Sequence, residues 1–303
     1  MSTPKWEKVL WKKQPFPDNY IPEDAFLSSL RKNPNFKPYT YWPLVHLSIP
    51  ITQHLATIFI FLSIFARLKD YSLDPHVLIF VSLGCFMLGY FVWKVLRYTQ
   101  QSSKNNGKLA EHVRADGMKS FKSFILIFLA LMSLSPVLKT LSAATSSDSI
   151  WALSACLFLL NILLADYGSS SPVNQGRPER LTSVLSMNAA ISSSVVLASR
   201  LSTDLAVFAL ILFSVQSFTL FPMLRRRLQA FNTKKALPVQ VLLTLFLSVL
   251  SLVLTAPLSA TVAYLFLFIL FAITFLAPAV LVWAQKYKNE IRGPWDVAVP
   301  KVN

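Results

Sequence analysis

Eight stretches of this chain are candidates for membrane-crossing helices. A helix needs about 20 residues to cross roughly 30 Å of hydrocarbon. Seven apolar runs reach about that length, at residues 44–66, 77–96, 121–141, 181–199, 205–224, 237–256 and 258–283. An eighth run, residues 150–165, is shorter but carries no charge. The chain is 54% hydrophobic and 14% charged, whereas soluble domains carry about 25% charged residues. The pattern predicts an all-α polytopic membrane protein with about eight transmembrane helices.

The basic residues fall mostly on one side of these predicted spans. With eight spans, 23 of the 29 Lys and Arg residues lie on the side of the N-terminus, three lie on the opposite side and three lie inside spans. The short run at residues 150–165 is the fourth span in chain order, and omitting it would destroy this segregation. The positive-inside rule therefore predicts that both termini are cytosolic. The net charge of +15 either serves only to orient the protein in the membrane or also attracts anionic lipid headgroups and anionic substrates to that face.

Three regions follow from the same pattern. Residues 1–43 form a cytosolic or interfacial tail, residues 44–283 an eight-span domain, and residues 284–303 a cytosolic C-terminal tail. In the first tail, Trp6, Val9 and Leu10 recur at helical spacing among lysines, and a second short helix is expected after Pro22. Both resemble helices that lie in the membrane interface. The loops are too short to house a separate globular domain.

No catalytic constellation is recognisable in the sequence. The chain has seven glycines and no Gly-rich phosphate loop, so we predict no nucleotide cofactor and no catalytic residue. The four histidines are scattered without metal-ligand spacing, and the two cysteines lie in separate apolar runs. We therefore predict no metal site.

Polar residues in and beside the spans are the candidates for binding lipid or for contact between subunits. Lys139 can reach the far interface by extending its side chain along the helix, or it can form an ion pair with Asp148 or with another subunit. Asp166 follows the fourth span, where a carboxylate opposes the helix dipole. It is either solvated or neutralised by Arg177 or Arg180, and the second arrangement would form a headgroup-binding cluster.

Two asparagines and a set of small residues predict helix-to-helix contacts. Asn161 and Asn188 lie in the fourth and fifth spans, where amides commonly form hydrogen bonds between helices. Small side chains recur along the fifth span at Ala189, Ala190, Ser193, Ser194 and Ala198. This spacing favours close packing of that helix against a neighbour, either within the chain or in a partner protein.

Short sequence blocks in order along the chain resemble the PIG-C family, one of the subunit families of phosphatidylinositol N-acetylglucosaminyltransferase. The blocks are KWEKVL at 5–10, QPFPDNY at 14–20, YW at 41–42, SPVLKTL at 135–141, DYG at 166–168, LSMN at 185–188, ASRL at 198–201 and GPWD at 293–296. Residues 172–180 look longer than in some members of the family, so no role is transferred to Arg177 or Arg180.

This resemblance implies membership of the complex that transfers GlcNAc from UDP-GlcNAc to phosphatidylinositol on the cytosolic leaflet of the endoplasmic reticulum. That transfer is the first step of GPI-anchor biosynthesis. In the family the sugar chemistry belongs to PIG-A, and PIG-H, PIG-P, PIG-Q and PIG-Y are further partners. We therefore expect a non-catalytic scaffold that helps present the inositol lipid.

Two other classes of protein fit parts of the pattern. An eight-span secondary transporter or lipid scramblase would show inverted repeats and polar groups at the membrane midplane, and we find no convincing repeat. A self-sufficient polytopic transferase would need acidic residues in a roomy loop, and the loops are small.

Overall fold

The structure is a computed structural model that describes residues 11–17, 20, 30–33, 36–102, 133, 137, 146–168, 181–230 and 233–292. Within them the helices are α1 (Tyr41–Lys69), α2 (Pro75–Ser102), α3 (Ser147–Leu164), α4 (Leu181–Ala198), α5 (Asp204–Val215), α6 (Phe221–Ala230), α7 (Thr233–Thr255), α8 (Ala260–Phe271) and α9 (Ala277–Ala284). Two π-helical segments, Gln216–Leu220 and Ala272–Leu276, continue α5 into α6 and α8 into α9, and a 3-10 turn follows at Gln285–Tyr287. Strand β1 is Arg31–Lys32 and strand β2 is Ile291–Arg292.

Five helical stretches are long and apolar enough to cross a membrane. They are Tyr41–Lys69, Pro75–Val95, Asp204–Leu228, Leu237–Thr255 and Ala260–Tyr287, and two shorter apolar helices cover Asp148–Leu164 and Thr182–Ala198. These seven correspond to seven of the eight predicted spans. The remaining predicted span, residues 121–141, lies almost entirely outside the described residues, so the count of eight stays a prediction.

The described residues fall into two compact units, one drawn from residues up to Leu44 and from Pro278 onward, the other covering Val45–Ala277. In the first unit, β1 pairs antiparallel with β2, with Arg31 opposite Arg292. Asn33 follows β1 in the left-handed region, with φ of 52°, which asparagine tolerates better than most residues. Its amide donates to the Lys288 carbonyl at 2.7 Å and accepts from the Glu290 N–H at 2.7 Å.

This strand pair departs from the all-α prediction, because hydrogen bonding between two tails far apart in sequence leaves no local pattern. The interfacial helices predicted near residues 6–10 and after Pro22 lie outside the described residues.

Helix α1 is the most buried helix of the second unit. Of its most apolar 18-residue window, 83% is buried, against 11% for the corresponding windows of α2 and α7. One face packs in a cluster with α3, α4 and α5, in which Phe61 and Phe65 are fully enclosed. Another face packs on α8, where the rings of Phe59 and Phe266 stack with centroids 3.8 Å apart. Polar side chains of α1 such as Thr52, Gln53 and His54 are buried as well, so α1 lies in the centre of the unit with neighbours on several faces.

The contact between α3 and α4 depends on small side chains. Ala190, Ser193 and Ser194 of α4 are completely buried. The Ser193 hydroxyl lies 3.1 Å from that of Ser154 and donates to the Ser154 carbonyl at 3.0 Å. The small residues predicted to allow close packing of this helix do so within the chain.

We expect Ser193→Leu to destabilise the protein and Ser192→Leu to leave it nearly unchanged. Ser193 is fully enclosed, whereas its neighbour Ser192 is exposed on the same helix. Overpacking a close contact costs about 1–3 kcal/mol. Thermal unfolding of the purified chain in detergent measures the difference. Equal melting temperatures for the two variants would contradict the tight α3–α4 contact.

Candidate functional site

A polar pocket lies in the Val45–Ala277 unit, where α3 ends, α4 begins and α6 follows its π-helical segment. Its cavity volume is small, about 30 Å³, and the pocket opens to the surface. The walls combine charged, amide, hydroxyl and apolar side chains: His54, Asn161, Ala165, Asp166, Ser183, Ser186, Met187, Phe218, Pro222, Met223, Arg225 and Arg226. Residues from four separate helices therefore meet here.

One wall is a hydrogen-bonded network that joins α1, α3 and α4. The Asn161 side-chain amide donates to the Ser186 carbonyl and hydroxyl, both at 2.9 Å, and the Ser186 hydroxyl donates back to the Asn161 carbonyl at 2.8 Å. These donor bonds fix the orientation of the Asn161 amide. Its Oδ1 therefore accepts from Nε2–H of His54, at 2.9 Å.

Tyr167 completes this network from the segment after α3. Its hydroxyl lies 2.8 Å from Nδ1 of His54 and 3.0 Å from the Ile162 carbonyl. Because Nε2 of His54 carries the proton given to Asn161, Nδ1 of the neutral imidazole is an acceptor. The single phenol proton of Tyr167 is shared between this nitrogen and the Ile162 carbonyl. Burial raises the pKa of Tyr167 to about 12, so the phenol keeps its proton at neutral pH. The network holds α1 and α3 in one register.

Arg225 forms the most buried cationic part of the pocket. Only 5% of the residue is exposed, and Nη1 donates to the Pro50 carbonyl of α1 at 2.8 Å. Nε is buried and has no hydrogen-bond partner among the described residues. A buried polar group without a partner is costly, so the site has unused binding capacity.

The two arginines that follow Arg225 have different surroundings. Arg226 is half-buried and donates to the Ser183 hydroxyl at 2.6 Å. Arg227 is exposed and lies over the Trp93 ring, 5.0 Å from its centroid. Of the three arginines, Arg225 and Arg226 line the pocket and Arg227 does not.

Asp166 supplies a carboxylate to the same wall. Its Oδ1 accepts from the Gly168 N–H at 3.0 Å, a turn that fixes the carboxylate beside the end of α3. The residues suggested by sequence as its partners, Arg177 and Arg180, lie outside the described residues.

The structure brings together two of the five candidates suggested by the sequence. Asn161 and Asp166 both line the pocket. Asp148 is exposed in the first turn of α3, where a carboxylate complements the helix dipole. Asn188 is exposed on α4, so it lies outside this network. Lys139 lies outside the described residues, and its role stays a prediction.

Sequence reasoning missed His54, Arg225 and Arg226 of the pocket, and Tyr167 of the network beside it. The two arginines supply the cations of the pocket. The sequence placed both arginines in a connection after residue 224, but the helix continues to Ala230. The only local hint is that basic residues directly follow an apolar helix without an intervening Gly or turn residue.

Comparison with known proteins gives the family. A family model described as GPI2, phosphatidylinositol N-acetylglucosaminyltransferase, matches residues 6–296. The chain belongs to this GPI2 family. The resemblance to PIG-C inferred from short sequence blocks is thereby confirmed.

Relatives in the GPI2 family align along nearly the whole chain. A Schizosaccharomyces pombe protein named phosphatidylinositol N-acetylglucosaminyltransferase GPI2 subunit is 39% identical over 98% of this chain and 87% of its own length. A Homo sapiens protein, also named as a subunit of this transferase, is 35% identical over 97% of this chain and 92% of its own. A Saccharomyces cerevisiae GPI2 subunit is 26% identical over 99% of each chain. No solved structure matches the chain.

The chemistry of the pocket suits binding. Its arginines can hold an anion and its carboxylate can accept hydrogen bonds from hydroxyl groups. Among the described residues no group of three His, Cys, Asp or Glu side chains could hold a metal ion.

We expect Asn161→Ala to lower the free energy of unfolding by about 1–3 kcal/mol, because it leaves the buried Nε2–H of His54 without an acceptor. The matched change Asn188→Ala removes an exposed amide from α4 and should cost less than about 0.5 kcal/mol. Unfolding of both variants in detergent measures the difference. A larger effect at Asn188 would contradict the assignment of the network to Asn161.

Proposed function

We propose that this chain is a non-catalytic membrane subunit of the complex that transfers GlcNAc from UDP-GlcNAc to phosphatidylinositol, the first step of GPI-anchor biosynthesis. In this role it scaffolds the complex and helps present the lipid acceptor. The observation that carries the proposal is the GPI2 family match over residues 6–296, together with relatives that are named as subunits of that transferase.

The partners in this proposal are a PIG-A-like catalytic subunit and PIG-H, PIG-P, PIG-Q and PIG-Y-like subunits. Large apolar side chains are exposed along α2, α7 and α8, for example Phe80, Phe246 and Phe268. Such faces are suited to contact with lipid or with the helices of other subunits. A scaffold requires surfaces of this kind.

The proposed location is the endoplasmic reticulum membrane, with both termini cytosolic. Under this topology α3 runs toward the cytosol and α4 leaves it, so the polar pocket lies near the cytosolic headgroups. Both substrates of the transfer are anionic, and most of the cations are expected on the same face.

The rival proposal is an eight-span transporter or scramblase. In α1, however, buried polar side chains bond neighbouring helices: Thr52 bonds Thr274 at 2.8 Å, and Gln53 bonds Thr244 at 2.9 Å. Polar groups used in this way favour a fixed helical assembly over a path through the membrane.

In membranes from cells that lack their own PIG-C, we expect this chain to restore transfer of GlcNAc to phosphatidylinositol and to co-purify with the catalytic subunit. The purified chain alone should be inactive, because the glycosyltransferase chemistry belongs to another subunit. Radiolabelled transfer and pull-down measure the two properties. The control is Ser193→Leu, which should reduce both through loss of folded protein. A well-expressed chain that neither restores transfer nor binds the catalytic subunit of its native host would refute the proposal.

Topology gives a separate prediction. Epitope tags at either terminus should be digested by protease added to sealed microsomes, whereas a tag inserted between Asp70 and Asp74 should be protected. Segregation of the basic residues is the physical reason. Protection of one terminus and digestion of the other would contradict an even number of spans.

A further inference from the structure

The pocket holds a buried cation with unused hydrogen-bonding capacity. Arg225 has five N–H donors, and the bond to Pro50 at 2.8 Å uses one of them. Nε is buried without a partner in the described part of the chain. A bond to the backbone does not neutralise the guanidinium, and the pocket wall carries two arginines against one carboxylate, Asp166. The positive charge left over is costly to bury. An anion bound in the pocket would remove this cost.

The charges in the pocket wall specify what kind of anion fits. The charged lining residues are Arg225, Arg226 and Asp166, which together carry one net positive charge when His54 is neutral. A phosphodiester carries one negative charge and would neutralise the site. Inorganic phosphate and a nucleotide diphosphate carry more than one at neutral pH and would leave the pocket negative.

Asp166 is placed to bind the headgroup that is attached to the phosphate. Its Oδ1 is held by the Gly168 N–H, and an ionised carboxylate only accepts hydrogen bonds. Headgroup hydroxyls can donate to it. The Ser183 hydroxyl, which accepts from Arg226 at 2.6 Å, has its own proton to donate. The wall therefore joins a phosphate-binding part to a hydroxyl-binding part.

The rim suits a lipid. Met187 and Met223 line the pocket beside the polar groups, and Met223 is exposed. In the proposed topology this rim lies at the membrane interface, where a phospholipid has its phosphate next to its apolar chains. A soluble anion would gain nothing from these methionines.

We propose that the pocket binds the phosphodiester of an anionic phospholipid with a polyhydroxyl headgroup, with Arg225 and Arg226 contacting the phosphate and Asp166 accepting hydrogen bonds from headgroup hydroxyls. Identifying this lipid with the phosphatidylinositol acceptor rests on the proposed function. The binding itself is a property of this chain alone.

The test uses the full chain in phosphatidylcholine nanodiscs that contain a photoactivatable phosphatidylinositol probe. Crosslinking is measured in competition with phosphatidylinositol, phosphatidylserine, UDP-GlcNAc or inorganic phosphate. We expect phosphatidylinositol to compete at least about tenfold better than phosphatidylserine, since a charge-assisted hydrogen bond contributes about that factor. UDP-GlcNAc and phosphate should compete weakly. Displacement of the probe by either soluble anion at comparable concentration would overturn the lipid assignment.

The arginines that follow one another in α6 provide matched variants. Arg225→Gln and Arg226→Gln should each weaken phosphatidylinositol competition by about tenfold or more. Arg227→Gln removes the same charge from the exposed face and should behave as wild type. Arg225→Lys keeps the charge, and its phosphatidylinositol competition should lie between that of wild type and that of Arg225→Gln, because lysine cannot reproduce the guanidinium geometry.

A further variant separates headgroup recognition from phosphate binding. Asp166→Ala should retain lipid crosslinking and lose the preference for phosphatidylinositol over phosphatidylserine. Because Arg225→Gln also removes a bond to α1, its folding is checked by gel filtration. If it fails to fold, Arg226→Gln and Asp166→Ala decide the question, since both lie at less buried positions.

The outcomes distinguish this inference from the proposed function. Equal lipid competition in wild type, Arg225→Lys and Arg226→Gln would overturn the pocket assignment even if the chain restores transfer in cells. Lipid binding that depends on the arginines, in a chain that neither restores transfer nor binds the catalytic subunit, would support the site and refute the proposed function.

Discussion

Burial of α1 is the constraint on which the rest of the second unit depends. A helix surrounded by other helices in a membrane protein must find partners for its polar side chains, since neither lipid nor water is available to them. Along α1 these partners lie on different neighbours. Thr52 bonds Thr274 of the π-helical segment after α8, His54 bonds Asn161 of α3, and Ser63 bonds Thr255 of α7 at 2.6 Å. Each bond fixes one neighbour at one height along α1.

Two prolines extend this constraint to the neighbouring helices. Pro222 and Pro278 each lie just after a π-helical segment, with one residue between. A proline has no N–H for the carbonyl four residues earlier, and a π-helical turn is one way a helix accommodates the ring. The carbonyl left by Pro278 belongs to Thr274. It lies 3.2 Å from the Ser48 hydroxyl of α1, whose proton is shared with the Val45 carbonyl at 2.8 Å. The corresponding π-helical turn before Pro222 precedes Arg225 in the chain, so it also shapes the pocket wall.

The fold was largely predictable from sequence, because the bilayer imposes a length and a polarity on each helix. Seven of the eight predicted spans coincide with described helices. Side-chain direction was not predictable in the same way. Asn161 and Asn188 lie in similar apolar surroundings in the sequence, yet the first is buried in a network and the second is exposed. Which face of a helix is covered depends on neighbours that are distant in the chain, and sequence periodicity is weak when nearly every residue is apolar.

The three arginines of α6 show why the pocket could not be read from charge alone. The positive-inside rule counts cations near the end of a span and is indifferent to where they point. Successive residues on a helix point about 100° apart. Continuing the helix past residue 224 therefore directs Arg225 toward α1, Arg226 toward Ser183 and Arg227 onto Trp93. One run of like charges thus acquires a buried, a half-buried and an exposed member. The orientation of the protein in the membrane depends only on how many arginines there are, whereas anion binding depends on the two arginines that face the pocket.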